Sequence, residues 1–171
     1  MSADLQQIFT SPTGAEAVAR RYREVLAAWP VPAAELRVPT RAGETFVLVS
    51  GPADAPPVVL LHGSAANAAA WLDDVAVWAQ QFRLYAVDVI GHPGFSAPAR
   101  PPYAGDAHSA WLAEVMDGLG IARAAFVGTS LGGWLALDHA LRRPERVQAL
   151  VLIVPGGIGR ERMSMARILL T

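Results

Sequence analysis

The sequence predicts an α/β protein, with a mostly parallel sheet and helices on both faces. Three observations carry this. From residue 58 onward, short apolar runs alternate with stretches of helical spacing, the pattern of βαβ units. Those runs are apolar at successive positions, not only at every second one, as strands covered on both faces must be. The stretch before them reads as a helix and then two strand-like runs parted by a turn, which makes an antiparallel hairpin.

The elements follow in order. Val18, Tyr22, Val25, Leu26 and Trp29 recur at helical spacing within residues 14–29, and Pro30 stops the helix. Residues 35–39 and 44–50 form the hairpin around Arg41-Ala42-Gly43, and the loop 51–57 follows. Val58-Val-Leu-Leu61 is the first parallel strand, and Trp71, Leu72, Val75 and Trp78 mark the next helix. Residues 84–89 form a strand, 90–105 a Gly/Pro-rich loop, and Trp111, Leu112, Val115, Met116 and Leu119 a helical stripe. A strand over 124–127, a helix over 131–141 and a strand from Val147 to Val154 complete the series. The expected organisation is a leading helix (1–30), a hairpin and loop (31–57), βαβ units (58–159) and a further segment (160–171).

Composition excludes several functions. Hydrophobic residues make up 53% and charged residues 17%, so the chain is not a disordered one. A net charge of −1, from 14 basic and 15 acidic side chains, gives no footprint for nucleic acid or an anionic membrane. All the basic residues are Arg. With no cysteine, disulfides, thiolate catalysis and Cys-ligated metal sites are out. No signal-peptide pattern and no membrane-length apolar run is present, so a cytoplasmic protein is expected. The first parallel-strand turn, His62-Gly-Ser-Ala-Ala-Asn67, has neither G-x-G-x-x-G nor a Walker lysine. We expect no cofactor and no metal.

The chemistry resides in Gly128-Thr129-Ser130-Leu131-Gly132, a G-x-S-x-G between a strand and a helix. A nucleophilic serine must stand clear of the sheet on a sharp turn, and small residues two before and two after it let backbone approach. The helix that follows points its N-terminus at the site, where free N–H groups favour a developing oxyanion. Ser130 is the candidate nucleophile. The backbone N–H of Leu131 is one expected oxyanion donor. The other comes from the loop after residue 61, with Ser64 first choice and Ala65 second. His62 is read as a brace of that loop and Asp88 as a loop anchor.

These marks resemble the N-terminal half of an α/β-hydrolase. They are the His62-Gly63 loop, Val87-Asp88 followed by Gly91-His92-Pro-Gly-Phe-Ser96, the elbow Gly128–Gly132 extended by Gly133, and Pro144-Glu-Arg-Val147. Trp29-Pro30 and the run from Ser50 to Gly63 are similar to bacterial carboxylesterases that hydrolyse aryl-propionate esters. Pro93 departs from the tighter Gly-x-Gly spacing of many relatives. The resemblance implies an acyl-enzyme on Ser130 and a small, mostly hydrophobic ester as substrate. A serine in place of an aspartate sets aside the epoxide-hydrolase and haloalkane-dehalogenase branches.

The triad is not complete in this reading. Base and acid follow the serine in such enzymes, and His139 is the one histidine after Ser130. Nine residues of helix set it ~13 Å along the axis, out of reach. His139 and Asp138 are therefore expected on an exposed stripe, His108 on the surface, and His92 near the pocket rim. The run from Val147 to Val154 suits an interior strand. Residues 160–171 resemble the start of a lid, so the remaining strands, acid and histidine are expected beyond Thr171. The alternatives are another reaction of the same fold (C–C bond hydrolase, haloperoxidase or acyltransferase), or a non-catalytic protein that self-associates through the 147–154 edge.

Overall fold

A computed structural model describes residues 8–158. The first helix, α1 (Pro12–Leu26), is capped by Ser11, whose hydroxyl accepts the Gly14 N–H at 3.1 Å. It ends before Trp29, whose indole N–H instead donates to Ser50 Oγ at 2.9 Å. Strands β1 (Ala33–Thr40) and β2 (Gly43–Ser50) form the expected antiparallel hairpin. β3 (Pro57–Leu61), β4 (Arg83–Val87), β5 (Ala124–Thr129) and β6 (Val147–Ile153) are the parallel strands. The sheet order is β1-β2-β4-β3-β5-β6, with β2 antiparallel to β4.

Alternation along each strand sorts side chains to two faces. Val47, Val49, Val59, Leu61 and Val87 pack with α3 (Ala107–Gly118) and α4 (Leu131–Arg142) through Trp111, Leu112, Met116 and Leu135. Phe46, Leu48, Val58, Leu60, Leu84 and Ala86 pack with Tyr22 and Leu26 of α1 and with Trp71 and Val75. The runs that read as apolar throughout thus serve two cores at once.

The structure corrects three expectations. The stripe over 71–78 is not one helix but a 3-10 turn at Ala68–Trp71 and a single short helix, α2 (Val75–Trp78). His108 and His139, expected at the surface, are buried. His139 Nδ1 and the Ser109 hydroxyl are hydrogen-bonded at 3.1 Å, and the Ser109 oxygen accepts from Arg143 at 2.7 Å, which ties α4 to α3. Local spacing does not show this, because the partners lie elsewhere: Ser109 on α3 for His139, and the Tyr103 and Trp134 rings for His108. Third, Asp138, expected on the same exposed stripe, is half-buried: its side chain is only 15% exposed and pairs with Arg142 at 2.8 Å. β6 has an interior strand's composition and occupies an edge of the described sheet, the 147–154 edge the sequence reading named, with Val151 53% and Ile153 41% exposed. The lid expected at 160–171 lies outside the described residues.

Buried histidines make the fold acid-sensitive. Burial lowers His62, His92 and His139 to about 4 each. Their contribution is present above the unfolded value of about 6.5 and is lost as pH falls from there through 4. Burial raises Asp88 to about 6, which has the opposite sign and favours the fold as pH falls below 6. Three groups outweigh one. Urea melts at constant ionic strength should show the midpoint falling from pH 7 to pH 4.5; a midpoint that rises on acidification would contradict this.

Candidate active site

The site lies where the chain reverses direction across the sheet. β3 is flanked by β4 on one side and β5 on the other, so the loops leaving β3 and β5 diverge and open a crevice at the strand C-termini. Leu61 pairs with Gly128. That register brings the segment after His62 beside the segment 129–131.

Ser130 stands at the turn between β5 and α4 with φ +51° and ψ −112°, a conformation that a residue with a Cβ rarely adopts. It is held there from both sides. Its N–H donates to the Ile153 carbonyl at 2.9 Å, and its own carbonyl accepts from Trp134 and Gly156, both at 3.1 Å. Its side chain is exposed. The flanking glycines are required sterically: a Cβ on Gly128 would meet the Gly132 carbonyl oxygen at 2.3 Å, and one on Gly132 would meet that of Leu61 at 2.0 Å. A Cβ on Gly63 would lie 3.5 Å from that of Ser130, so the loop after β3 runs directly past the serine.

That loop is fixed by both of its ends. His62 is fully buried; its Nδ1 donates to the Gly63 carbonyl at 2.7 Å, and its Nε2 accepts the Val89 N–H at 2.9 Å. In a trans peptide the C=O and N–H point in opposite directions, so pinning Gly63 O aims the Ser64 N–H the other way. The Ala65 N–H donates to His92 Nδ1 at 3.2 Å, and Ala65 has φ +56°. The Asn67 side chain donates to the Pro93 carbonyl at 2.8 Å. Ser64 and Leu131 keep their N–H groups unpaired among the described residues.

Asp88, at the end of β4, collects three donors. Oδ1 accepts from the Tyr22 hydroxyl at 2.9 Å and from Ala68 N–H at 2.7 Å; Oδ2 accepts from Phe95 N–H at 2.7 Å. Its carbonyl accepts from the Ser96 hydroxyl at 2.5 Å. Burial raises the carboxyl against the pull of these donors, and burial beside Asp88 pushes the Tyr22 phenol up. Sequence reasoning assigned the anchoring role to Asp88. It missed Tyr22, whose position in a helical apolar stripe disguised a hydroxyl aimed inward.

No histidine serves Ser130 as a base in this arrangement. His62 and His92 hold the loop, and His139 is bound to Ser109. His108 is buried and stacks on Tyr103 at 5.0 Å between ring centroids. No group of three or more metal-ligating side chains occurs among the described residues, and no described helix is long and apolar enough to cross a membrane.

Residues 56–168 match the family described as alpha/beta hydrolase fold, and the chain belongs to that family. It is 40% identical over 134 residues to carboxylesterase YbfK of Bacillus subtilis, covering 78% of this chain and 45% of that protein. The crystal structure of naproxen esterase (carboxylesterase NP) from Bacillus subtilis superposes with a TM-score of 0.77 at 37% identity, covering 85% of this chain and 50% of that one. The 2-hydroxymuconate semialdehyde hydrolase of a Pseudomonas species is 36% identical over 105 residues, 60% of this chain and 37% of that protein. The chain spans about half the length of the curated relatives it matches.

The elbow's tolerance can be measured directly. Gly132→Ala should lower stability by about 3 kcal/mol or more, since backbone on β3 must move. Gly105→Ala, where φ is +88° but nothing lies within 4 Å, should cost only about 1 kcal/mol. Thermal melts of the two variants that coincide would show that the elbow is not packed as described.

Proposed function

We propose that the chain carries the nucleophile and oxyanion donors of a serine hydrolase acting on carboxylic esters. The observation that supports this most is the exposed Ser130 at φ +51°, at the N-terminus of α4 and beside a loop with an unpaired N–H. Ser130 Oγ attacks the ester carbonyl carbon and the C=O electron pair moves onto oxygen. The N–H groups of Leu131 and Ser64 bind that oxyanion. Ser64 is chosen over Ala65 because the Ala65 N–H is already engaged by His92. Collapse expels the alcohol and leaves an acyl-enzyme, which water then hydrolyses.

The proton leaving Ser130 needs a base that the described residues do not supply. The ester reading is preferred over C–C bond hydrolysis because the carboxylesterase likeness is higher in identity and extends over more of the chain.

A fluorophosphonate probe tests this, with imidazole added as a solution base. Intact-mass and peptide analysis should find one label on Ser130, and none in Ser130→Ala. Equal labelling of the two proteins would remove the nucleophile assignment. Separately, steady turnover of a p-nitrophenyl ester without imidazole, lost in Ser130→Ala, would show that a base is present after all. We expect instead only the residue of catalysis that an oxyanion hole gives without a complete triad, about 10³–10⁴-fold over water at most.

A further inference from the structure

We infer that His92 is a positioning residue: by capturing the Ala65 N–H it holds the loop after β3 in the shape that leaves the Ser64 N–H free for the oxyanion. This rests on the serine-hydrolase reading above and adds to it a residue that acts through the loop.

Ala65 is an L-residue in the left-handed region, at φ +56°, a conformation that is unfavourable unless something offsets it. The hydrogen bond to His92 Nδ1 is what this residue gains there. The neighbouring peptide is fixed independently by His62 at Gly63 O, and Asn67 ties the far end of the loop to Pro93. Ser64 therefore lies between two residues whose peptide groups are both held, and its own N–H is left over.

His92 is itself locked. Its carbonyl accepts the Gly94 N–H at 2.8 Å. Gly94 sits so close to Asp88 that a Cβ would meet Oδ2 at 2.4 Å. The His92 ring lies edge-on to that of His62, with centroids 5.9 Å apart. Nδ1 can accept only while the imidazole is neutral, with the proton on Nε2. Burial keeps it so, and the positive field of Arg100 and the nearby His108 work the same way.

Two substitutions separate the acceptor from the ring. His92→Phe keeps the ring contact and removes the acceptor. His92→Asn supplies Oδ1 in roughly the place of Nδ1. In ¹⁵N NMR of the intact 171-residue chain, His92 should show the Nε2–H tautomer. The Ala65 amide proton should move upfield in His92→Phe and stay near its original position in His92→Asn. The rate of fluorophosphonate labelling at Ser130 with imidazole should fall about 10-fold or more in His92→Phe, given what a misplaced catalytic group costs. It should recover to within about 3-fold in His92→Asn.

Equal labelling rates in wild type and His92→Phe, with Ser130→Ala unlabelled, would overturn the inference and leave the nucleophile intact. Equal loss in both His92 variants would also overturn it, because the acceptor would then be irrelevant. A wild-type chain that takes no label at Ser130 would overturn the serine-hydrolase reading and with it the oxyanion role. An Ala65 amide unmoved in His92→Phe would by itself refute the hold on the loop.

Discussion

The buried carboxylate of Asp88 is the constraint on which the rest of the site depends. It joins three segments that share no other anchor of this kind: α1 through Tyr22, the 3-10 turn after β3 through Ala68, and the loop after β4 through Phe95. An unpaired carboxylate at full burial would be severely unfavourable. Three directed donors make the position tolerable, and each donor is thereby compelled to come to the end of β4. The loop after β3, which runs past Ser130, and the loop after β4 are fixed relative to each other because both end on this one side chain. Ser96 extends the arrangement to β2: its hydroxyl donates to the Asp88 carbonyl and its oxygen accepts the Phe46 N–H.

A second constraint is steric and acts on the opposite side of the serine. The elbow is pressed onto the end of β3, with Gly132 against Leu61 and His62 and Gly128 against the start of α4. Strand pairing brings these groups together, since Leu61 and Gly128 are partners in the ladder. Polar anchoring at Asp88 and close glycine packing at the elbow therefore address the same loop from its two ends. The strain at Ser130 and Ala65 persists because the surrounding bonds over-determine both residues.

This explains what was legible in the sequence. The elbow, the hairpin and the parallel strands follow from local pattern, because a G-x-S-x-G turn and an apolar run carry their own geometry. The fate of a single polar residue does not. Tyr22, His108 and His139 each sit in a stripe that gives no sign of a partner, and the partners are 66 residues away in the case of Tyr22 and on another helix in that of His139. The 3-10 turn at Ala68–Trp71 was likewise hidden. Its start is set by Asn67 as cap and by Asp88 as a distant acceptor for Ala68, whereas the spacing of Trp71, Val75 and Trp78 is helical. The sequence offered two candidate loop donors, Ser64 and Ala65. Choosing between Ser64 and Ala65 needed the place of His92, which is 27 residues further on.

The four histidines make the same point about chemistry. A general base must be free to take a proton and to hold it while the intermediate forms. Three of the imidazoles are engaged, His62 between Gly63 and Val89, His92 at Ala65 and His139 at Ser109, while His108 stacks on Tyr103. Burial lowers all four, so each resists the charge that a base must accept. Bringing His92, which already borders the loop, to the serine would release the Ala65 N–H and undo the geometry that leaves Ser64 free. Under the proposed serine-hydrolase reading, the histidines that shape this site are for that reason unsuited to take the proton of Ser130.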